Sequence, residues 1–419
     1  MDVGKRTKWM QWMFLGSAVA SPLLGCGGEP PVTPPPAERV VLRVPLYSYI
    51  PDAAGDGFQA LSARIESEFE AEHPEVDLVV NPPCFKDDLY EPSELARSLR
   101  GEGECPYELV EVDSSLLGEL VDTGAVKPWP ALPAGPRWHP AGISAATVRG
   151  QFYGVPHWQC AHYIVSRDEA VSRARTVDEL VQALAARNTP AQDLAANLLG
   201  SWNLPSLYLD AWTDSHGPEN LRSALTTEAY DTDVLAGMKR LAGACATAGV
   251  NPCIDGTYDE NLDLPEVLFA QGRADATLGF SERLHTLLKN LPPDANRSEL
   301  RISPAPLGQG NHPLLFTDVF VLASRCTGAC EQAARDFTAY ISRASTYGWI
   351  VLGEDAPAEG RIPRYLMPSN LEVYELPGVK ADSFYPGIGA ATATGAPFPN
   401  SGLLDIRKTM RDAILDALQ

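Results

Sequence analysis

Between Val40 and Asp122, short apolar runs alternate with helical repeats, and this alternation restricts the fold more than any other feature of the chain. Residues 40–46, 75–80 and 108–113 read as strands. An amphipathic helix over residues 58–73, with Phe58, Leu61, Ile65 and Phe69 on one stripe, separates the first two. A second helix near residues 93–100 separates the next two, and residues 115–122 are helical again. Strands alternating with helices at this spacing indicate an α/β protein with a mainly parallel sheet covered on both faces. In such sheets ligands bind beyond the carboxyl ends of the strands. Tyr47, Tyr49 and Asp113 fall at those ends.

The stretch from Tyr153 to Asp168 is the next strong signal. Gly154 and Pro156 punctuate it, and a strand rich in aromatic and β-branched residues is expected from His157 to Val165. Period-two alternation puts Trp158, Cys160 and His162 on one face, with His157, Gln159 and Tyr163 on the other. Further on, Thr176-Val177-Asp178-Glu179 is a capping box opening a helix to about Ala186. Helical blocks are expected near residues 190–214, 233–247 and 264–271, the last stopped by Gly272. Residues 274–280 read as a strand ending in Ser281-Glu282, and residues 315–323 as a strand containing Asp318. Residues 330–347 and 407–418 read as helical, and residues 363–368 and 387–399 as loops.

The start of the chain bears on location. Lys5, Arg6 and Lys8 precede an apolar run over residues 9–24, the layout of a secretory signal peptide. Leu23-Leu24-Gly25-Cys26 resembles the lipobox of bacterial lipoproteins, which implies that Cys26 becomes the lipidated first residue of the mature chain. An ordinary signal peptide cleaved elsewhere is the alternative. Residues 29–36 are proline-rich and read as an extended tether. No later run reaches transmembrane length. The expectation is an exported protein held in the bacterial cell envelope by a lipid, on the periplasmic or cell-surface side.

Composition narrows the partners. The formal net charge is −21, and removing residues 1–25, which carry a net of +2, leaves about −23. Such acidity argues against nucleic acid or anionic lipid and mildly favours a cationic small ligand. A mature chain of about 380 residues exceeds one ordinary core, so two domains are the default.

Eight cysteines are present, and setting Cys26 aside leaves seven. Local partners give Cys84 with Cys105, Cys245 with Cys253 and Cys326 with Cys330, a pairing the sequence does not by itself fix. Cys160 is then left alone. An unpaired thiol in an oxidising compartment is either a buried small hydrophobe or a reactive group. No structural zinc is expected, since Cys326-x-x-x-Cys330 has no second pair of ligands nearby.

Two lobes, a Tyr-Gly-Val-Pro crossing at Tyr153 and the segment Phe269-Ala270-Gln271-Gly272-Arg273-Ala274 resemble the type II periplasmic solute-binding fold. In that fold a ligand sits in the cleft between lobes. Within it, the chain is similar to the thiaminase I (thiamine pyridinylase) family. The segments that carry this are Leu46-Tyr47-Ser48-Tyr49-Ile50-Pro51-Asp52, Cys84-Phe85-Lys86-Asp87-Asp88, Val155-Pro156 with Cys160, and Tyr208-Leu209-Asp210-Ala211. Gly279-Phe280-Ser281-Glu282, Phe316-Thr317-Asp318 and Pro363-Arg364-Tyr365-Leu366-Met367-Pro368 complete the set.

The resemblance implies Cys160 as nucleophile and Glu282 as general base, with Asp113 and Asp318 as substrate-binding carboxylates. It places Tyr47, Tyr49, Phe85, Tyr208, Phe280 and Phe316 at the substrate. It implies a signal peptide over 1–25, a lipidated Cys26 and tether over 26–37, and lobe 1 over 38–156. Lobe 2 would then take 157–282, a lobe 1 return 283–335, and a helical part over 336–419 would belong mainly to lobe 2. No cofactor or metal is implied. The partners implied are thiamine or an analogue and a nucleophile co-substrate, with a monomeric protein that meets the membrane only through its lipid.

The implied reaction is base exchange. A thiolate adds to the pyrimidine of thiamine, the thiazole leaves, a second nucleophile takes the methylene, and the cysteine is expelled. Glu282 accepts the thiol proton, yet its charge also raises the thiol pKa, so a resting neutral thiol is expected. Phe85, Phe280 and Phe316 stand where tyrosines are expected in the family, keeping stacking faces and losing hydroxyl hydrogen bonds. Other readings stand beside these. His162 could serve Cys160 as in a cysteine protease, although strand neighbours two apart seldom hydrogen-bond. Asp113 could cap the following helix. Tyr208 divides evenly between core and cleft, Asp87 and Asp88 suit a solvated loop, and Trp349 and Tyr365 suit the core. A non-catalytic binding lipoprotein that feeds thiamine or a pyrimidine to an ABC importer is the rival function.

Overall fold

Two sheets organise the chain, and it passes from one to the other at a single residue beside Cys160. The computed structural model describes residues 39–85, 92–187, 189 and 191–419. The leader, Cys26 and the tether lie outside the described residues, as do Lys86, Asp87 and Asp88. The first strands are β1 (Val40–Val44), β2 (Val76–Val80), β3 (Leu109–Asp113), β4 (Thr147–Val148), β5 (Gln151–Phe152), β6 (Gly154–Cys160) and β7 (His162–Ser166). There follow β8 (Ala195–Ala196), β9 (Ala276–Phe280), β10 (Arg301–Pro304), β11 (Leu314–Leu322), β12 (Met367–Pro368) and β13 (Ala396–Pro397).

Lobe 1 is built around β11, which pairs with β3 and β6 antiparallel and with β13 parallel, while β12 adds to β6. β1 and β2 pair parallel, and Glu111 N donates to Pro45 O at 3.0 Å, which brings β1 alongside β3. Lobe 2 holds the order β10-β7-β9-β8, with only β8 and β9 parallel. Both sheets are therefore mixed, contrary to the mainly parallel expectation. Helical connections lay strands down parallel, but a strand that crosses from the other lobe enters against that direction.

The helix Gln59–Glu72 buries Leu61, Ile65 and Phe69, as its stripe predicts. Phe58 is not part of it and sits just before it at φ 64°. Phe69 meets Phe337 of the helix Ala329–Ile341 at 5.6 Å between ring centroids, so this later helix covers lobe 1. The helix Arg407–Leu418 packs on the helices Asn203–His216 and Thr232–Gly243 of lobe 2.

Several expectations change. The single strand over 157–165 is two strands, since Cys160 pairs with Phe316 in lobe 1 and His162 pairs with Phe280 in lobe 2. A break at Ala161 is needed because one strand cannot continue straight from one sheet into another. β6 thus straddles the boundary expected at 156, and β10 lies in lobe 2 within the stretch expected to return to lobe 1. The helical block over 190–214 begins only at Asn203, after β8 and an irregular run through Gly200. The helix over 330–347 divides into Ala329–Ile341 and Ala344–Val351. The loop over 387–399 contains part of the helix Tyr385–Thr392 and β13, and the loop over 363–368 ends in β12.

The crossing at Ala161 and the return before β11 are both tied to the helix Asn203–His216. Asp210 Oδ2 meets His162 Nδ1 at 2.8 Å and its Oδ1 accepts from Leu314 N at 3.1 Å. One turn on, Asp214 accepts from Leu307 N at 2.7 Å, Gly308 N at 3.2 Å and His312 N. Burial pushes the Asp214 carboxyl up to about 8, and neighbouring Asp210 adds to that. Three disulfides form as expected, Cys84–Cys105, Cys245–Cys253 and Cys326–Cys330. Among the described residues Cys160 is the free cysteine, and no helix is long and apolar enough to cross a membrane.

Candidate active site

A cavity of about 440 Å³ opens between the two sheets, within the size range of small-ligand sites. Lobe 1 contributes the loop after β1 with Tyr47 and Tyr49, Asp113 at the end of β3, the end of β6, and Phe316 and Asp318 on β11. Lobe 2 contributes His162, the end of β9, and Glu282 at the start of the helix Arg283–Lys289. Cys160 and Glu282 reach the same space because the antiparallel β7–β9 pairing sets Phe280 opposite His162, two residues beyond the thiol.

Electrostatics in this space is governed by half-buried carboxyl groups that share the cleft. Burial pushes the Cys160 thiol well above its ordinary 9.0, and Glu282, Asp318 and Asp113 push it further in that order. The thiol is therefore neutral at rest. Burial likewise pushes Glu282 up to about 7, partly opposed by its own backbone N–H, Arg283 and Ser281. Asp318 and Asp113 stand directly opposite each other on β11 and β3. Burial first, then the charge of Asp113, holds the Asp318 carboxyl well above the ordinary range, which favours its neutral form. Asp113 also accepts from Ser115 N at 2.8 Å, so it caps the following turn and lines the cavity at once.

Aromatic rings form the walls. Tyr47 and Tyr49 lie 5.5 Å apart, Phe280 and Phe316 meet edge-on at 5.3 Å, and Phe316 meets Phe398 at 4.3 Å. His162 stacks on Phe280 at 4.8 Å and holds Asp210 through Nδ1. That engagement orients it as part of the hinge between lobes. The Tyr47–Tyr49 loop is fixed from behind. Glu111 Oε2 accepts from Tyr47 N at 3.0 Å while Oε1 pairs with His157, and Arg364 Nε donates to Pro51 O at 2.9 Å.

Two residues expected at the substrate are elsewhere. Phe85 packs edge-on against Tyr107 at 5.9 Å beside the Cys84–Cys105 bridge and does not line the cavity. Tyr208 is buried against Tyr230, its hydroxyl accepting from Asp231 N at 2.9 Å, so the core reading of that residue holds. Trp349 and Tyr365 are buried as well. Conversely, Asn197, Trp202, Asn203 and Asp259 line the cavity without having been singled out. The two-residue strand β8 hid Asn197, Trp202 and Asn203 inside a stretch that reads as helix, and Asp259 sits in the short helix Thr257–Glu260 between the expected blocks. Among the described residues, no group of three or more side chains is placed to hold a metal ion.

No protein-family model matches the chain. It is 24% identical to Thiaminase-1 of Paenibacillus thiaminolyticus over 349 residues, 80% of this chain and 77% of that one. Thiaminase I from Bacillus thiaminolyticus superposes with a TM-score of 0.70 at 19% identity, covering 91% of this chain and all of that one. Clostridium botulinum thiaminase I in complex with thiamin gives 0.70 at 17% identity, over 90% of this chain and 100% of that one. The maltose-binding protein MalE of Listeria monocytogenes, in complex with maltose, gives 0.61 at 12% identity over 91% and 92%. The chain is thus a distant sequence relative of Thiaminase-1, and it has the two-lobed type II periplasmic solute-binding fold that thiaminase I and the maltose-binding proteins share.

Proposed function

We propose that the protein is a thiaminase I-like transferase that cleaves thiamine, or a related aminopyrimidine, and passes the pyrimidinylmethyl group to a nucleophile through a Cys160 adduct. One observation carries the reading: the free thiol shares a 440 Å³ cavity with a carboxyl group poised at about 7. A base with that pKa is half available at neutral pH and can take the thiol proton when substrate arrives. Asp318, held toward its neutral form, and Asp113 opposite it offer a donor and an acceptor to the edge of an aminopyrimidine, and a hydrogen bond to a ring nitrogen draws electrons from the carbon the thiolate attacks. Phe280 and Phe316 supply apolar faces for the ring. A cationic thiazolium relieves the negative charge of the site.

A binding protein for an importer shares the fold, and fold alone does not decide function. The relative by sequence is an enzyme, and a solute receptor has no use for a free thiol beside a half-buried carboxyl group. The three disulfides suit an oxidising compartment, and export with lipidation at Cys26 is part of the same proposal. The test is intact-protein mass after incubation with a 4-amino-6-chloropyrimidine, alongside a thiamine-consumption assay. A single adduct, lost in Cys160→Ser, together with thiamine loss is expected. Absence of both from well-folded protein sinks the assignment and leaves the receptor.

A further inference from the structure

Glu282 is held by its backbone more than by its own carboxyl group. The bond it takes from Ser281 Oγ is long, at 3.4 Å, and the side chain hangs from the start of the helix Arg283–Lys289. His285 N donates to Glu282 O at 3.0 Å and closes that turn. The ring of His285 is buried, and its Nδ1 meets Pro363 O at 3.1 Å, on the run that leads into β12 of lobe 1. A carbonyl only accepts, so Nδ1 carries the hydrogen. Burial pushes His285 below its ordinary 6.5, which favours the neutral ring; Lys289 and Arg364 push the same way, against the bonds to Pro363 and Ile362.

The segment that His285 grips also braces the rest of the site. Arg364 Nε donates to Pro51 O behind the Tyr47–Tyr49 loop at 2.9 Å, and Arg364 N donates to Val351 O at 2.8 Å. Leu366 lines the cavity, and Met367 pairs with Gln159, the neighbour of Cys160. Tyr365 sits at φ 55°, a left-handed conformation that a residue with a side chain keeps only where its surroundings over-determine it. Arg364 before it is buried in the core, and its hydroxyl donates to Asp382 Oδ2 at 3.1 Å. The geometry points to His285 as a positioning residue for Glu282: its bond to Pro363 O sets the base of lobe 2 against the segment that pairs with the thiol's strand and braces the Tyr47–Tyr49 loop in lobe 1. The inference rests on the Cys160 transfer proposed above. A base must come within about 2.6–3.2 Å of the atom whose proton it takes, and a displaced turn exceeds that tolerance.

Two amides supply the test. Asn at this position carries its N–H₂ where Nδ1 stands, whereas Gln carries it nearer Nε2, and both are neutral and close to His in size. The rate of adduct formation between the full chain and the 4-amino-6-chloropyrimidine is followed by intact mass as a function of pH. In the unaltered chain it rises through about 7 as Glu282 ionises. Arg283 and Glu266 face Glu282 within lobe 2, with Cys160 and Asp318 across from it, and none of these is changed. His285→Asn keeps the unaltered profile. His285→Gln lowers the plateau by up to about 10²-fold, and its midpoint moves below 7 toward the ordinary 4.5 as the loosened turn admits water. Completion to one adduct per chain shows that each variant is folded. Asn and Gln variants that match each other overturn the inference, as does a slower Gln variant with an unmoved midpoint, which is the mark of a purely structural loss; in both cases the transferase reading stands. An unaltered chain that forms no adduct overturns the Cys160 reading itself, and the role of His285 with it.

Discussion

Glu282→Gln should make the resting thiol easier to ionise and yet slow turnover. The carboxylate is the second cause, after burial, of the raised Cys160 thiol, so removing its charge lowers the thiol pKa. Burial remains, and the value stays above the ordinary 9.0. Turnover, however, needs a base. With Glu282 near 7 and the thiol well above 9.0, proton transfer in the resting enzyme is uphill by about 3 kcal/mol or more. Fewer than about one molecule in a hundred then holds the thiolate beside protonated Glu282. Substrate must supply the rest, and losing the base costs kcat about 10²- to 10⁴-fold. The assays are steady-state thiamine consumption and the pH dependence of Cys160 alkylation by iodoacetamide, followed by mass. Wild type shows no thiolate at pH 7; the variant alkylates with a lower pKa and turns over far more slowly, with thiamine binding largely intact. A variant whose thiol pKa rises, or whose turnover is unchanged, refutes the assignment of Glu282 as both charge neighbour and base.

Other consequences follow from the packing. Asp214 has an ordinary pKa of 3.8 and about 8 in the fold, so between these values the native state keeps a proton that the unfolded chain has released. Its contribution to stability is complete below about 4 and falls as pH rises toward 8, at up to about 1.4 kcal/mol per unit, so Asp214→Asn should flatten the pH dependence of Tm across that window. Arg364 and Asp355 form a fully buried pair with two 2.7 Å bonds, and Arg364→Met leaves Asp355 unpaired, at about 3–5 kcal/mol in denaturant unfolding. The same change frees Pro51 O behind the Tyr47–Tyr49 loop and should raise the KM for thiamine; unaltered stability would show that the pair is dispensable. A Cβ on Gly308 would lie 2.3 Å from Ala211 O, so Gly308→Ala pushes the second crossing off its helix and costs about 1–3 kcal/mol by thermal melting.

What the sequence discloses and what it hides divide along a physical line. Helices with a clean stripe are legible because burial repeats every three or four residues, as in Leu61, Ile65 and Phe69. The disulfides are legible because each partner is local, and they isolate Cys160 by subtraction. Ala161 is different. A strand that leaves one sheet and enters another keeps its apolar character throughout, so periodicity carries no mark of the change. Yet that change is what sets the thiol at the mouth of a cleft and the Glu282 turn across from it. The supports are hidden for a related reason. Glu111 reads as one polar residue in a strand, and Asp210 as one in a helix, while their partners Tyr47, His157, His162 and Leu314 come from distant segments. A residue that acts on a part of the chain far from its own leaves no local pattern. Cys160 is legible because local pairing leaves it alone, whereas Glu282, one carboxylate among many, is marked only by the resemblance carried by Gly279-Phe280-Ser281-Glu282. The supporting groups are common types whose partners come from distant segments.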